Sequence, residues 1–298
     1  MNKSSDSQEH GHYPPFTGTY ENPPTFSERW RQLKLAHCAV PEYGSSRQFW
    51  GSKTKIDTVY PKGSGRPDEK TAARLAVMNI PDGSRVLDIG AGPGTFAIPL
   101  AERGCSVTVV EPSPVMREML ATRIGQGKIT TITVIPKRWE DVTLKELGTH
   151  YDAVIASFSL TMTDMAEALR KMHACCSGTV HLFWFLTEPT WAQVNRDLWP
   201  YLHGGRFPGE PTADWLWQIL YEQGICASIV PEPEVSLSRY ATIEDAVTEF
   251  RQRLNCSTDA HDEIVRNYFQ AVLRLDGEGF VLGNGTRSAH IWWNTKEQ

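Results

Sequence analysis

Residues 86–96, VLDIGAGPGTF, constrain this chain more than any other stretch, because an apolar strand runs straight into a turn with Gly90, Gly92 and Gly94 at alternate positions. Glycine has no Cβ, so such a turn can reverse sharply, enter backbone angles closed to other residues and bring its amides close to a ligand. A strand, a glycine-rich turn and a following helix make the first βα step of a doubly wound sheet with a cofactor at the turn. The sequence then has to say which cofactor.

Spacing separates two classes. A dinucleotide fingerprint needs a third small residue three positions after the second glycine, where helix and strand pack closely. That slot is Thr95, and the glycine stands one place early, at Gly94. Pro93 removes an amide that a phosphate would use, and a carboxylate, Asp88, lies two residues before the first glycine. Negative charge there suits a cation better than a pyrophosphate. A second carboxylate, Glu111, ends the next β-branched run, Cys105 to Val110, and Pro112 opens the turn after it. An acid at that tip accepts hydrogen bonds from ribose hydroxyls in either class.

Asp-x-Gly-x-Gly-x-Gly in residues 88–94 resembles motif I of the class I S-adenosylmethionine-dependent methyltransferases. The resemblance implies an α/β fold, a doubly wound seven-stranded sheet whose last strand is antiparallel. It implies S-adenosylmethionine as cofactor and S-adenosylhomocysteine as product. The amino-acid end of the cofactor then lies on the Gly90, Ala91 and Gly92 backbone, with Asp88 near its ammonium, Gly94 closing the turn, and Glu111 and Pro112 at the ribose. Adenine belongs after the third strand, where this chain has Trp139, Glu140 and Asp141 in place of the commoner Asp-Ala pair. Either Trp139 stacks on or flanks adenine and an acid meets its amino group, or Trp139 covers the sheet edge while the acids cap the next helix. Ser157 and Phe158, with Ser159, follow the fourth strand, beside the methyl group. The Pro-Pro-Tyr type signature of base and amide methylation is absent at this point.

Organisation follows from patterning. Residues 1–24 are polar and rich in Pro, Ser and His and read as a tail, with His10 and His12 as tail composition before a metal site. Residues 25–67 read as a helix from Thr25 to His37 and an irregular stretch, with Trp50 and Tyr60 as candidates to close over the cofactor. Residues 68–186 alternate strands and helices as a parallel sheet requires. Residues 187–223 hold Trp191, Trp199, Tyr201, Phe207, Trp215, Trp217 and Tyr221 and read as an inserted aromatic cap. Residues 224–298 return to the core. There, Ala227 to Leu237 reads as a sixth strand and two helices follow. Phe280 to Trp293 reads as a hairpin around Asn284-Gly285, with Ser288 to Trp293 as the antiparallel seventh strand.

The net charge of -5, with no run of Lys and Arg, speaks against nucleic acid as partner. No apolar run nears the roughly 18 residues of a membrane span and no signal-peptide core is evident, so no membrane partner and a cytoplasmic location are expected. Six scattered cysteines lack zinc spacing, and the adjacent Cys175 and Cys176 read as buried packing. A hydroxyl or thiol acceptor would need a general base. His181, Tyr201 and His203 are the catalytic candidates, with Glu188 beside them, and each also has a packing explanation. The expected activity is methyl transfer to a small molecule, against a protein methyltransferase, an inactive cofactor-binding protein or a nicotinamide oxidoreductase. Oligomeric state is not legible.

Overall fold

The computed structural model describes residues 23–40, 68–148 and 150–297. Residues 1–22 of the tail and the positions of His10, His12, Trp50 and Tyr60 lie outside the described residues. Helix α1 (Phe26–Ala39) starts on a capping box, Thr25 accepting from the Glu28 amide and Glu28 reaching back to the Thr25 amide. Helix α2 (Glu69–Met78) is capped by Asp68 and ends on Asn79 in the left-handed region, earlier than the Pro-Asp-Gly stop that follows.

Alternation then delivers β1 (Arg85–Ile89), α3 (Ala97–Glu102), β2 (Ser106–Val110), α4 (Pro114–Gly127) and β3 (Ile132–Ile135). A single 3-10 turn (Trp139–Asp141) and α5 (Leu144–Leu147) lead to β4 (Tyr151–Ser157), α6 (Met165–Cys175) and β5 (Cys176–Phe185). Strands β1, β2, β3, β4 and β5 pair in parallel, and their near-continuous apolar runs reflect burial on both faces. Leu87, Val154 and Leu182 face one layer, packed by α6 and by Trp30 of α1, while Val86, Ile155 and Phe183 face the layer of α3 and α4.

Beyond β5 come α7 (Thr190–Leu202), α8 (Ala213–Glu222), β6 (Ser228–Pro231), β7 (Ser236–Tyr240), α9 (Ile243–Arg253), α10 (Asp259–Val272), β8 (Leu273–Asp276), β9 (Gly279–Thr286) and β10 (Ser288–Asn294). The main sheet has the order β3-β2-β1-β4-β5-β10-β6, with β10 antiparallel between β5 and β6, as the class I fold requires. The anticipated hairpin over Phe280 to Trp293 does not form. β9 pairs instead with β7 and β8 in a separate three-stranded sheet, and the tight turn lies between β8 and β9. The anticipated sixth strand is likewise divided between the two sheets, as β6 and β7.

The aromatic segment also divides. Leu216, Ile219 and Leu220 of α8 pack in the main core, so α8 is a layer helix of the sheet. Val194, Leu198 and Trp199 of α7, with Phe207, instead join Phe250, Phe269 and Leu282 in a third apolar cluster. Two insertions far apart in sequence thus share one core and make one cap. The joint is stitched where chains cross: the Leu186 and Thr187 amides donate to Arg287 O at 2.8 and 3.2 Å, and the Thr190 amide donates to Thr286 Oγ1 at 3.0 Å.

Candidate functional site

The turn after β1 is held from three sides. The Gly90 amide donates to Val110 O at 2.7 Å, tying the turn to β2, and Ser159 Oγ, beyond β4, donates to Ile89 O at 2.6 Å. Gly90, Gly92 and Gly94 all have positive φ, at 69°, 57° and 84°. A Cβ at Gly90 would stand 2.4 Å from Ser159 Cβ, and one at Gly94 would stand 2.5 Å from Leu120 Cδ1. Both conformation and space therefore demand glycine.

Asp88 lies at this turn with 1% exposure. Its carboxylate accepts from the Ala97 backbone at the start of α3, yet Oδ2 has no hydrogen-bond partner. Burial first, and the neighbouring Glu111 second, push its pKa up to about 7. A buried carboxylate with an unpartnered oxygen requires a proton or a cation. Glu111, 5% exposed, is better satisfied: Oε2 accepts from the Gly92 amide and Oε1 from the Ser113 amide, both at 2.8 Å. Burial still moves its pKa upward, against the lowering effect of those amides and of Arg117. Pro112 between them is exposed. At the end of β4, Ser157 and Phe158 are half-buried. Phe158 adopts φ 51°, a left-handed conformation uncommon for a bulky residue, with its amide donating to Phe183 O at 3.0 Å.

A family model described as "Methyltransferase domain" matches residues 65–222, which contain this whole constellation. The chain belongs to that family. The methyltransferase is 27% identical over 237 residues to an uncharacterised protein of Haemophilus influenzae, covering 77% of this chain and 83% of that one. It shares its fold with the solved structure of a protein from Anabaena variabilis, described as a putative methyltransferase from an antibiotic biosynthesis pathway. Identity is 20%, coverage 76% of this chain and 99% of that one, and the TM-score 0.52. It shares it also with the magnesium protoporphyrin IX methyltransferase of Synechocystis, solved with bound S-adenosylhomocysteine. There the identity is 15%, the coverage 83% and 96%, and the TM-score 0.50. The methyltransferase is of class I, and its methyl donor is S-adenosylmethionine.

Other anticipated residues of the methyltransferase fall elsewhere. Trp139 does not present a free stacking face: it is 2% exposed, its Nε1 donates to Ala168 O at 3.1 Å, and Lys171 Nζ lies 4.5 Å from its ring centroid. Its bulk fills the edge between the 3-10 turn and α6. Glu140 beside it is exposed, and Asp141 pairs with Arg138 at 2.8 Å.

None of the three anticipated bases meets the turn. His181 is 4% exposed in mid-strand, its Nδ1 3.0 Å from His290 Nε2, and burial lowers its pKa to about 3. Tyr201 is 75% exposed on the outer face of α7. His203 donates from Nε2 to Leu254 O at 2.6 Å and packs on Trp199, fastening α7 to the end of α9. Glu188 pairs with Arg196. Burial pushes Cys175 up to about 12, which makes it a packing thiol.

Sequence reasoning missed Arg74. Its guanidinium lies 4.8 Å from the Phe158 ring centroid and forks onto Glu232 at 2.6 and 2.7 Å. An arginine on a helix face carries no signal of what it covers, and only the fold brings β6 to it.

Proposed function

We propose that this chain transfers a methyl group from S-adenosylmethionine to a small molecule enclosed between the cap and the strand ends. The observation that carries the cofactor site is the unpartnered Asp88 Oδ2, buried beside a turn that the chain can make only with glycine. The cofactor presents an ammonium, and ionised Asp88 supplies the matching charge, directly or through water. Glu111 takes the ribose: its two carboxylate oxygens accept from the Gly92 and Ser113 amides and keep further lone pairs for the two hydroxyls. Gly90, Ala91 and Gly92 offer backbone to the amino-acid end, and Ser157 and Phe158 flank the methyl group.

S-adenosylmethionine supplies a methyl carbon activated by positive sulfur, open to in-line displacement by the acceptor. The chain's own part is to bind, align and exclude water. A small acceptor is favoured by the cap, which adds a second core over one end of the sheet, and by the net charge of -5, which offers no broad phosphate-binding surface. No helix among the described residues is long and apolar enough to cross a membrane.

Calorimetric titration with S-adenosylmethionine, S-adenosylhomocysteine and NADH in parallel tests the reading. Micromolar binding of the two sulfur ligands and none of NADH is expected. Asp88→Ala or Glu111→Ala should weaken binding by about 10- to 100-fold, the range for hydrogen bonds to charged groups. Binding of NADH alone, or unchanged affinity in both variants, would overturn the site.

A further inference from the structure

Arg74 stands on α2 and Glu232 directly after β6, and they meet with only 15% and 16% of their side chains exposed. Nε and Nη2 of the guanidinium fork onto Oε1 and Oε2 at 2.6 and 2.7 Å, and Ser288 Oγ, at the start of β10, donates to the same carboxylate. Tying α2 to the strands behind it does not require so buried a pair. Lys70, one turn earlier on the same face, makes a tie at the surface, donating to Ser236 Oγ at 2.7 Å. Apolar residues of similar volume often hold a buried seam as well as an ion pair does, so the charges call for another use.

That use lies in what the guanidinium covers. Its central carbon is 4.8 Å from the Phe158 ring centroid and 5.4 Å from that of Phe183. The two rings lead to opposite ends of the cofactor turn. Phe158 keeps its φ of 51°, which a bulky residue holds only where its surroundings impose it. Directly after that bend, Ser159 Oγ donates to Ile89 O, and Ser159 Cβ leaves no room for a side chain at Gly90. Phe183 stacks at 6.1 Å on Phe96, the N-cap residue of α3 at the far end of the turn.

We infer that Arg74 is a positioning residue for the cofactor: its guanidinium, fixed by Glu232, holds Phe158 in the left-handed bend and so keeps Ser159 against Ile89 and Gly90. The inference rests on the methyl-transfer reading for what the turn binds. Arginine suits this task because its planar fork meets a carboxylate with one edge and aromatic rings with its face. The point charge of a lysine can meet the carboxylate but cannot lie flat on the rings at the same time.

The test uses Arg74→Lys, which keeps a cation beside Glu232 and should hold the melting midpoint within about 3 °C of wild type. Without any ligand, hydrogen exchange at the Phe158 and Gly90 amides should quicken about fivefold while that of Val107 and Val109 in β2 is unchanged. Affinity for S-adenosylhomocysteine should fall by about fivefold, within the range of a cation over a ring. Glycine adopts a positive φ without strain, so in the Phe158→Gly background the same substitution should change affinity less than twofold. Arg74→Gln combined with Glu232→Gln, which leaves no charge buried alone, should show the same quickened exchange and lost affinity as Arg74→Lys. A pair that only ties α2 to β6 would lower the midpoint and leave exchange at Phe158 and affinity at wild-type values in both variants, which would overturn the inference; so would an affinity loss that persists in full in Phe158→Gly. Failure of wild type to bind S-adenosylhomocysteine would instead sink the methyl-transfer reading, and the exchange comparison can still be read without it.

Discussion

Asp88 has an ordinary pKa of 3.8 when the chain is unfolded and about 7 in the fold. The folded state therefore keeps a proton that the unfolded chain has lost between those values, so this group's contribution to stability falls as pH rises from about 4 to 7. A bound ammonium reverses the preference and expels the proton. Cofactor binding at pH 6 should thus release close to one proton, falling to none above pH 8, measured by calorimetry in buffers of different ionisation enthalpy. Glu111 is also shifted upward, so Asp88→Asn isolates the contribution and should remove most of the release. Equal release in wild type and variant would dissociate Asp88 from the ammonium. The position of both acids in the fold was legible because each stands at the tip of an apolar strand, Asp88 one residue before the end of β1 and Glu111 directly after β2. His181 was not, since a strand residue's face depends on register, and β10 brings His290 against it from 109 residues away.

Among elements, α1 shows how a short helix with little intrinsic amphipathicity is made to stay. Its first amides, Phe26 and Ser27, donate to Glu222 at the end of α8, at 2.5 and 3.2 Å, which satisfies donors that a helix start leaves open. Trp30 is fully buried, donates from Nε1 to Met162 O at 2.9 Å and lies 6.3 Å from the Trp184 ring centroid. Trp30→Ala should cost about 3–5 kcal/mol, the range for a buried aromatic truncated in a packed core. Urea unfolding would read the loss, and hydrogen exchange should show protection lost first across Phe26–Ala39. A loss under 1 kcal/mol would mean that α1 is held by its ends alone. The helix and its cap were legible from Thr25 and the spacing of Phe26, Trp30 and His37. Strand pairing was less so: Asn284-Gly285 is a strong turn signal locally, but β10 gains two partners in the main sheet and β9 two in the small one, and those long-range pairs outweigh a hairpin.

For the whole molecule, the alternation of strands and helices from residue 68 to 185 was enough to read a doubly wound parallel sheet, while the place of the antiparallel last strand came from the resemblance to the class I fold. The cap was legible only as an excess of aromatics. Its real construction joins α7 to residues 207–282, and nothing local announces that Trp199 will meet Phe250 and Phe269. A cap with its own core, joined to the body through short crossings near residues 186–190 and 286–288, should behave as a separable cooperative unit. Phe250 and Phe269, 1% and 0% exposed with ring centroids 5.1 Å apart, form its centre. Phe250→Ala should remove about 3–5 kcal/mol from the cap, speeding exchange of amides in α9, α10 and β8 while those of β1, β2, β4 and β5 keep their protection. Affinity for S-adenosylhomocysteine, whose proposed site lies in the body, should stay within about threefold of wild type, a loss below ~1 kcal/mol. Equal loss of protection in both parts would show one cooperative unit, in which the cap could not open for an acceptor without loosening the cofactor turn; the two-unit outcome lets the cap admit an acceptor over a cofactor already in place.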